Sequence, residues 1–111
     1  MTNICKYDIV IVKFPFASSL KYKARPAVVV SSTAYNEDSR DTLLILAISS
    51  NVINKLCFEI EVIEWKASGL LKPSIFKSTV ATIERSHMLT KVGTLSEVDK
   101  SNLEKLISTI C

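Results

Sequence analysis

The first candidate for chemistry in this sequence is a group of three cations near its start, formed by Lys21, Lys23 and Arg25. Arg25 is followed by Pro26 and by a β-branched run, so it stands where a short basic loop enters a strand. A guanidinium is planar, permanently charged and shaped to bind two phosphate oxygens at once. The grouping therefore predicts a phosphate-binding site, with an ion pair between Arg25 and an acid such as Asp8 as the structural alternative.

Other residue types that support catalysis or metal binding are scattered along the chain. His87 is the only histidine, and its setting in Glu84-Arg85-Ser86-His87 favours an exposed turn residue over a general acid. The three cysteines show no CxxC spacing, which is typical of incidental thiols in a reducing compartment. The sequence therefore predicts no metal site and no cofactor.

Length and composition predict a single domain over residues 1–111. The chain is 48% hydrophobic and carries a net charge of +3, which alone says little about its partners. From Met1 to Pro26, however, there are five cations and one acid. The first apolar stretch is interrupted by Lys13 and Pro15, and it is far shorter than the ~20 residues that span a bilayer. We therefore expect a soluble, cytoplasmic protein without a membrane partner.

Six segments have the composition or alternation of β-strands, at residues 7–14, 27–32, 42–49, 57–63, 75–84 and 89–92. The almost wholly apolar segment 42–49 indicates a central strand. In segment 57–63, Glu59 and Glu61 share one face, which predicts a strand with one solvated side.

The C-terminal segment has the pattern of an amphipathic helix. Ser96 is the predicted N-cap, with Asp99 three residues later as a near capping box. One apolar stripe then follows at i, i+3, i+4 and i+7 spacing, made of Leu103, Leu106, Ile107 and Ile110. Short strands followed by one helix predict a mainly β fold with a strongly bent antiparallel sheet or barrel.

Nearly the whole sequence resembles the PemK/MazF family of toxin endoribonucleases. The matching elements are the opening strand from Tyr7 to Phe16, Arg25-Pro26-Ala27-Val28-Val29-Val30-Ser31, Tyr35-Asn36, Leu46-Ala47-Ile48-Ser49-Ser50, Gly69-Leu70 with Pro73-Ser74, and Gly93-Thr94-Leu95-Ser96. Each element alone is common, but their order and spacing over about 90 residues are specific.

The resemblance implies an SH3-like barrel that forms a homodimer and acts as the toxin of a type II toxin–antitoxin system. It implies metal-independent, sequence-selective cleavage of single-stranded RNA, with inhibition of translation. It also implies an antitoxin whose acidic, partly disordered tail covers the site and with which the toxin binds DNA.

The resemblance also assigns roles to individual residues. It places the family's catalytic arginine at Arg25 and its catalytic threonine at Ser49, where a serine keeps the hydroxyl and loses the methyl group that restricts its rotamer. Ser50 is the alternative if the strand register differs by one residue. Both serines would otherwise simply end a strand and begin a turn.

Further RNA contacts are predicted around this pair. Lys21 and Lys23 would attract RNA by charge, while Tyr22 and Phe16 could stack on bases. The alternative is a solvated basic loop with Phe16 in the core. Thr79 lies near the position of a polar RNA contact in the family.

Two departures from the family pattern concern the first strand and the general base. Tyr7 stands where the first strand often begins after glycine, and the loop 17–24 has no carboxylate to act as a general base. The base is then the substrate, water or a distant residue such as Asp8.

The competing functions are a non-catalytic binder of the gyrase-binding type on the same fold, and a degenerate toxin that acts only as an antitoxin-bound repressor subunit.

Overall fold

The computed structural model of the protein describes residues 4–14, 23–32, 42–50 and 59–110. Within these ranges the chain forms six strands, a 3₁₀ turn at Arg85–His87 and one α-helix. The strands are β1 (Asp8–Phe14), β2 (Lys23–Val29), β3 (Thr42–Ser49), β4 (Ile60–Glu61), β5 (Ile75–Glu84) and β6 (Met88–Thr94), and the helix is α1 (Glu97–Ile110). Among the described helices, none has the length and apolar character needed to cross a bilayer.

The six strands form one antiparallel sheet in the order β4-β5-β3-β2-β1-β6. The register shifts within the β3–β5 pair and twice within the β1–β6 pair. Such bulges bend a strand and increase its twist, which curves the sheet. The predicted fold class, a strongly bent antiparallel sheet with a C-terminal helix, is confirmed, and the described strands form an open sheet with β4 and β6 at its edges.

Apolar side chains pack in two clusters that use alternate residues of the same strands. On β1, Ile9 belongs to one cluster and Val10 and Val12 belong to the other. The first cluster also contains Leu103 and Leu106, so it packs one face of the sheet against α1. A sheet buried on both faces explains why β1 and β3 contain few polar residues.

The start of α1 is capped as the sequence predicted. The Asp99 amide donates to the Ser96 hydroxyl at 3.4 Å, and that hydroxyl donates to Asp99 Oδ2 at 3.2 Å. Leu103 and Leu106 are fully buried and Ile107 is half-buried, which confirms the apolar stripe for these three residues.

The bounds of β2 differ from the predicted segment 27–32. The strand begins at Lys23, so Arg25 and Pro26 lie inside it rather than at its entrance. Among the described residues, β2 pairs with β1 from Lys23 to Val28 but with β3 only from Ala27 to Val29. Pro26, which has no N–H to donate, therefore lies where β2 is paired on one side only.

The predicted solvated face of segment 57–63 is correct for Glu61 and wrong for Glu59. Glu59 is only 1% exposed, and its carboxylate pairs with Lys77 of β5 at 3.4 Å. The β4–β5 register pairs Ile60 with Phe76, so one further step places Glu59 beside Lys77. The sequence alternation could not show this cation on a neighbouring strand, which makes burial of the carboxylate tolerable.

Candidate functional site

Arg25 opens onto a cavity of about 420 Å³ between the sheet and the segment that follows β4. This volume falls within the ~300–1,000 Å³ typical of ligand cavities. Its lining comes from β1, β2, β6, the end of β3 and residues 69–74. The lining residues are Ile11, Arg25, Pro26, Ile48, Ser50, Gly69, Leu70, Leu71, Lys72, Ser74 and Val92.

The strand registers explain how Arg25 reaches this cavity. Arg25 pairs with Val12 of β1 and is exposed, whereas β2 enters the core two residues later, from Ala27 to Val29. On the other side of β2, Ala27 pairs with Ala47 of β3. Extending that register by two residues beyond the last pair leads from Arg25 to Ser49, so β2 and β3 bring Arg25 and the end of β3 to the same end of the sheet.

The two serines at the end of β3 differ in their surroundings. Ser50 is exposed and lines the cavity with Arg25. Ser49 is half-buried and pairs with Ile75 of β5, and it is not among the lining residues. The structure therefore places Ser50, the alternative hydroxyl, at the cavity and Ser49 directly beside it.

Residues 62–74, here called the 62–74 loop, supply the opposite wall of the cavity through their second half, from Gly69 to Ser74. The loop closes on itself because the Val62 amide donates to the Ser74 carbonyl oxygen at 2.8 Å. Its first turn is bound by the fully buried carboxylate of Asp99, which accepts the amides of Ile63 and Glu64 at 2.8 and 2.9 Å. Asp99, whose amide is capped by Ser96, therefore also holds the start of the loop that forms this wall.

The middle of the 62–74 loop touches β6 through the only two glycines in the sequence. A Cβ on Gly69 would lie 2.4 Å from the Val92 carbonyl oxygen, and a Cβ on Gly93 would lie 2.1 Å from the Ser68 carbonyl oxygen. Gly69 also has φ +93°, a conformation that side chains disfavour. The backbones approach so closely that neither position accepts a side chain.

Sequence reasoning missed Lys72, the second cation of the cavity. Lys72 lies between Gly69-Leu70 and Pro73-Ser74, which were noted only as a motif of family resemblance. Its distance from Arg25 in the sequence hid the association. The signal in the sequence was Gly69, because a glycine can mark a close approach of two backbones, with the cation Lys72 three residues later.

Asp8, an alternative for the general base, lies away from the cavity. It is buried and accepts hydrogen bonds from the Cys5 amide at 2.8 Å and the Thr94 hydroxyl at 2.9 Å, and Lys91 lies 3.3 Å away. Val12, the partner of Arg25, is four residues further along β1, about 13 Å at the usual strand rise. These contacts make Asp8 a structural anchor and not the partner of Arg25.

The remaining predicted site residues are placed only in part. Lys21 and Phe16 lie outside the described residues. Lys23 and Thr79 belong to β2 and β5, and their side chains also lie outside the description. His87 ends the 3₁₀ turn and is half-buried rather than exposed, and it is not a cavity-lining residue.

Tyr7 adopts the glycine-like conformation that the family pattern suggested, with φ +77°. Its hydroxyl donates to Glu104 of α1, and the Lys6 ammonium lies 2.9 Å from the same carboxylate. The Tyr7 hydroxyl and the Lys6 ammonium hold the pKa of Glu104 below its usual range. These contacts to α1 offset the backbone strain, which costs about 1–3 kcal/mol at a non-glycine residue.

Comparison with solved structures shows the same fold in bacterial toxins. The Mycobacterium tuberculosis toxin MazF-mt6 superposes with a TM-score of 0.75 at 20% identity, over 93% of this chain and 94% of that chain. The MazF of a MazE–MazF complex from Deinococcus radiodurans gives a TM-score of 0.75 at 16% identity, over 99% and 94%. A mycobacterial endoribonuclease in complex with its cognate antitoxin gives 0.73 at 13% identity, over 99% and 94%.

The family assignment rests on a family sequence model and not on an individual relative. No curated protein matches the chain by sequence. The sequence model of the PemK-like, MazF-like toxins of type II toxin–antitoxin systems, in contrast, matches residues 6–111. The match covers β1 through α1, including Arg25, both serines and the 62–74 loop. The chain belongs to the PemK/MazF toxin family of type II toxin–antitoxin systems.

Proposed function

We propose that this toxin is a metal-independent endoribonuclease that cleaves single-stranded RNA and thereby inhibits translation. The observation that carries the proposal is that Arg25 and Ser50 line one cavity together with Lys72. Two cations and a hydroxyl converging in a largely apolar cavity suit one phosphodiester with its sugar and base.

RNA supplies its own nucleophile for this reaction, the 2′-hydroxyl beside the phosphodiester. In-line attack of that oxygen on phosphorus forms one P–O bond and breaks the bond to the 5′-oxygen. The products are a 2′,3′-cyclic phosphate and a 5′-hydroxyl end. The protein must orient the phosphate, stabilise the added charge on its oxygens and move a proton from the nucleophile to the leaving oxygen.

Arg25 is the residue proposed for charge stabilisation. Its guanidinium is exposed at the cavity, and its donors match the spacing of two phosphate oxygens. A hydroxyl from Ser49 or Ser50 is proposed to donate to the same phosphate. Ser49 has the family position and Ser50 faces the cavity, so separate Ser49→Ala and Ser50→Ala variants decide between them.

The partners follow from the same proposal. Relatives of this fold have been solved as complexes of toxin with antitoxin. A cavity with two cations suits an acidic antitoxin segment as well as it suits RNA, so we expect an antitoxin to compete with RNA for it. We also expect a homodimer, as in the family, and a cytoplasmic location, where the RNA substrate is found.

The test is cleavage of a long, unstructured RNA by purified protein in excess EDTA. Discrete fragments with 5′-hydroxyl ends are expected from the wild type. Arg25→Ala is expected to lose at least 100-fold in rate, the order of magnitude associated with one charge-stabilising donor. Arg25→Lys separates the geometry of the guanidinium from its charge, since lysine cannot form the bidentate contact.

Lys105→Ala is the control for removing a positive charge elsewhere. Lys105 is exposed on α1 and does not line the cavity, and alanine preserves the helix. Cleavage that survives Arg25→Ala would refute the proposed role of the cavity. A folded wild type that cleaves no RNA would refute the nuclease and leave the gyrase-type binder or the repressor subunit, which a gyrase pull-down separates.

A further inference from the structure

We propose that Lys72 is a substrate-binding residue that contacts an RNA phosphate next to the one held by Arg25. This inference rests on the proposed function. In this proposal the cavity wall opposite Arg25, to which the sequence motifs give no role, binds the RNA backbone. Lys72 would set affinity and salt dependence, while Arg25 stabilises charge on the reacting phosphate.

The charge of Lys72 is not used to hold the fold. Lys72 is exposed and makes no ion pair among the described residues. Four other lysines do pair with carboxylates within this part of the chain, namely Lys6, Lys77, Lys91 and Lys100. Lys66, in the same loop, lies over the ring of Trp65 at 5.4 Å. Lys72 therefore lines the cavity with a charge that no described carboxylate neutralises.

The backbone around Lys72 is fixed before any ligand arrives. Pro73 restricts the residue before it to extended conformations and cannot itself rotate freely about φ. The buried Ser74 hydroxyl donates to the Lys72 carbonyl oxygen at 2.9 Å. Both constraints involve the backbone of Lys72, so replacing its side chain leaves them in place, and little ordering of the backbone is needed on binding.

The cavity provides the other surface that a nucleotide requires. Between Arg25 and Lys72 its walls are largely apolar, with contributions from Leu70 and Val92. Leu71 is 92% exposed beside Lys72. RNA could then place one phosphate at each cation and a sugar and base against the apolar wall. Both the charged and the apolar surfaces of the cavity would be in contact with the RNA.

The test measures binding of a short, labelled, single-stranded 2′-O-methyl RNA, copied from the RNA of the cleavage assay, by fluorescence anisotropy over a range of salt concentrations. The 2′-O-methyl groups prevent cleavage, so binding is read apart from chemistry. Lys72→Ala is expected to weaken binding roughly five- to tenfold, as for a solvent-exposed charged contact. It should also reduce the slope of log affinity against log salt by about 0.7, the value for one phosphate contact on a single strand.

Two further variants separate a contact from a structural effect. Lys72→Arg should restore most of the affinity and the salt slope, because it keeps the charge. Lys66→Ala removes a cation from the same loop outside the cavity and should leave both unchanged. In the cleavage assay, Lys72→Ala should raise KM and leave kcat within about twofold, as expected when ground state and transition state lose the same contact.

The outcomes distinguish this inference from the proposed function. If the wild type cleaves RNA but Lys72→Ala binds it with unchanged affinity and salt slope, the inference is wrong and the nuclease remains. If the wild type binds RNA through Lys72 without cleaving it, the inference holds and the nuclease is wrong. If the wild type binds no RNA, both are overturned.

Discussion

Replacing Gly93 with alanine is predicted to separate the 62–74 loop from β6. The new Cβ would lie 2.1 Å from the Ser68 carbonyl oxygen and 2.8 Å from its carbonyl carbon. Ordinary contact begins at 3.4 Å, so the two backbones must move apart by the difference, about 1.3 Å. The clashing atoms are backbone atoms of the loop, and Gly93 lies on a strand paired along β1, so no side chain can rotate to relieve the clash.

The expected cost is about 1–3 kcal/mol, typical of overpacking at a site that must shift its backbone. In a chain of 111 residues, each kcal/mol lowers the melting temperature by about 4 °C, so Gly93→Ala should melt roughly 4–12 °C below the wild type. Because the loop carries Lys72, RNA affinity should fall as well. Gly69→Ala adds the strain of φ +93° and should be at least as destabilising.

Thermal and urea unfolding measure this effect, with Thr90→Ala as the matched control. Thr90 is exposed on the same strand, so its replacement should change the free energy of unfolding by less than about 1 kcal/mol. If Gly93→Ala unfolded at the same midpoint as the wild type, or if its structure kept the loop in place, the close contact would not exist as described.

Two further predictions concern α1. Asp99→Ala should cost about 2–3 kcal/mol in urea unfolding, because the carboxylate accepts hydrogen bonds from two loop amides and from the Ser96 hydroxyl, and equal stability would show that these bonds contribute nothing. The lowered pKa of Glu104 stabilises the fold above the pKa of this carboxyl in the unfolded chain, and that contribution is lost as pH falls through the folded pKa. The wild type should therefore lose more stability between pH 5 and 3 than Glu104→Gln does. If the free energies of unfolding of the two proteins changed with pH in parallel, the contacts from Tyr7 and Lys6 would not stabilise the charged Glu104.

The elements that sequence predicted well are those whose partners lie within the element itself. Leu103 and Leu106 reveal the buried side of α1 because helical spacing puts them on one face. Ser96 marks the helix start because its cap partner is three residues away. The apolar run of β3 indicates a central strand, and β3 lies between β2 and β5.

The features that sequence reasoning missed depend on contacts between distant segments. The sequence alternation predicts a solvated Glu59 because Lys77 lies on another strand, and only the β4–β5 register brings them together. The sequence does not reveal Lys72 as a cavity residue for the same reason, since its association with Arg25 depends on where the loop packs. Local pattern predicts which residues are buried along an element, but not which charges meet between elements.

The attachment of the 62–74 loop to Asp99 determines how the cavity can open. Surface loops usually exchange their amide hydrogens through small local motions of low free energy. Here the amides of Ile63 and Glu64 donate to the fully buried carboxylate of Asp99 in the first turn of α1, and Leu103 packs that helix against the core. Releasing the start of the loop would leave this buried carboxylate without two of its donors. We therefore expect the amides of Ile63 and Glu64 to exchange only when the first turn of α1 also opens.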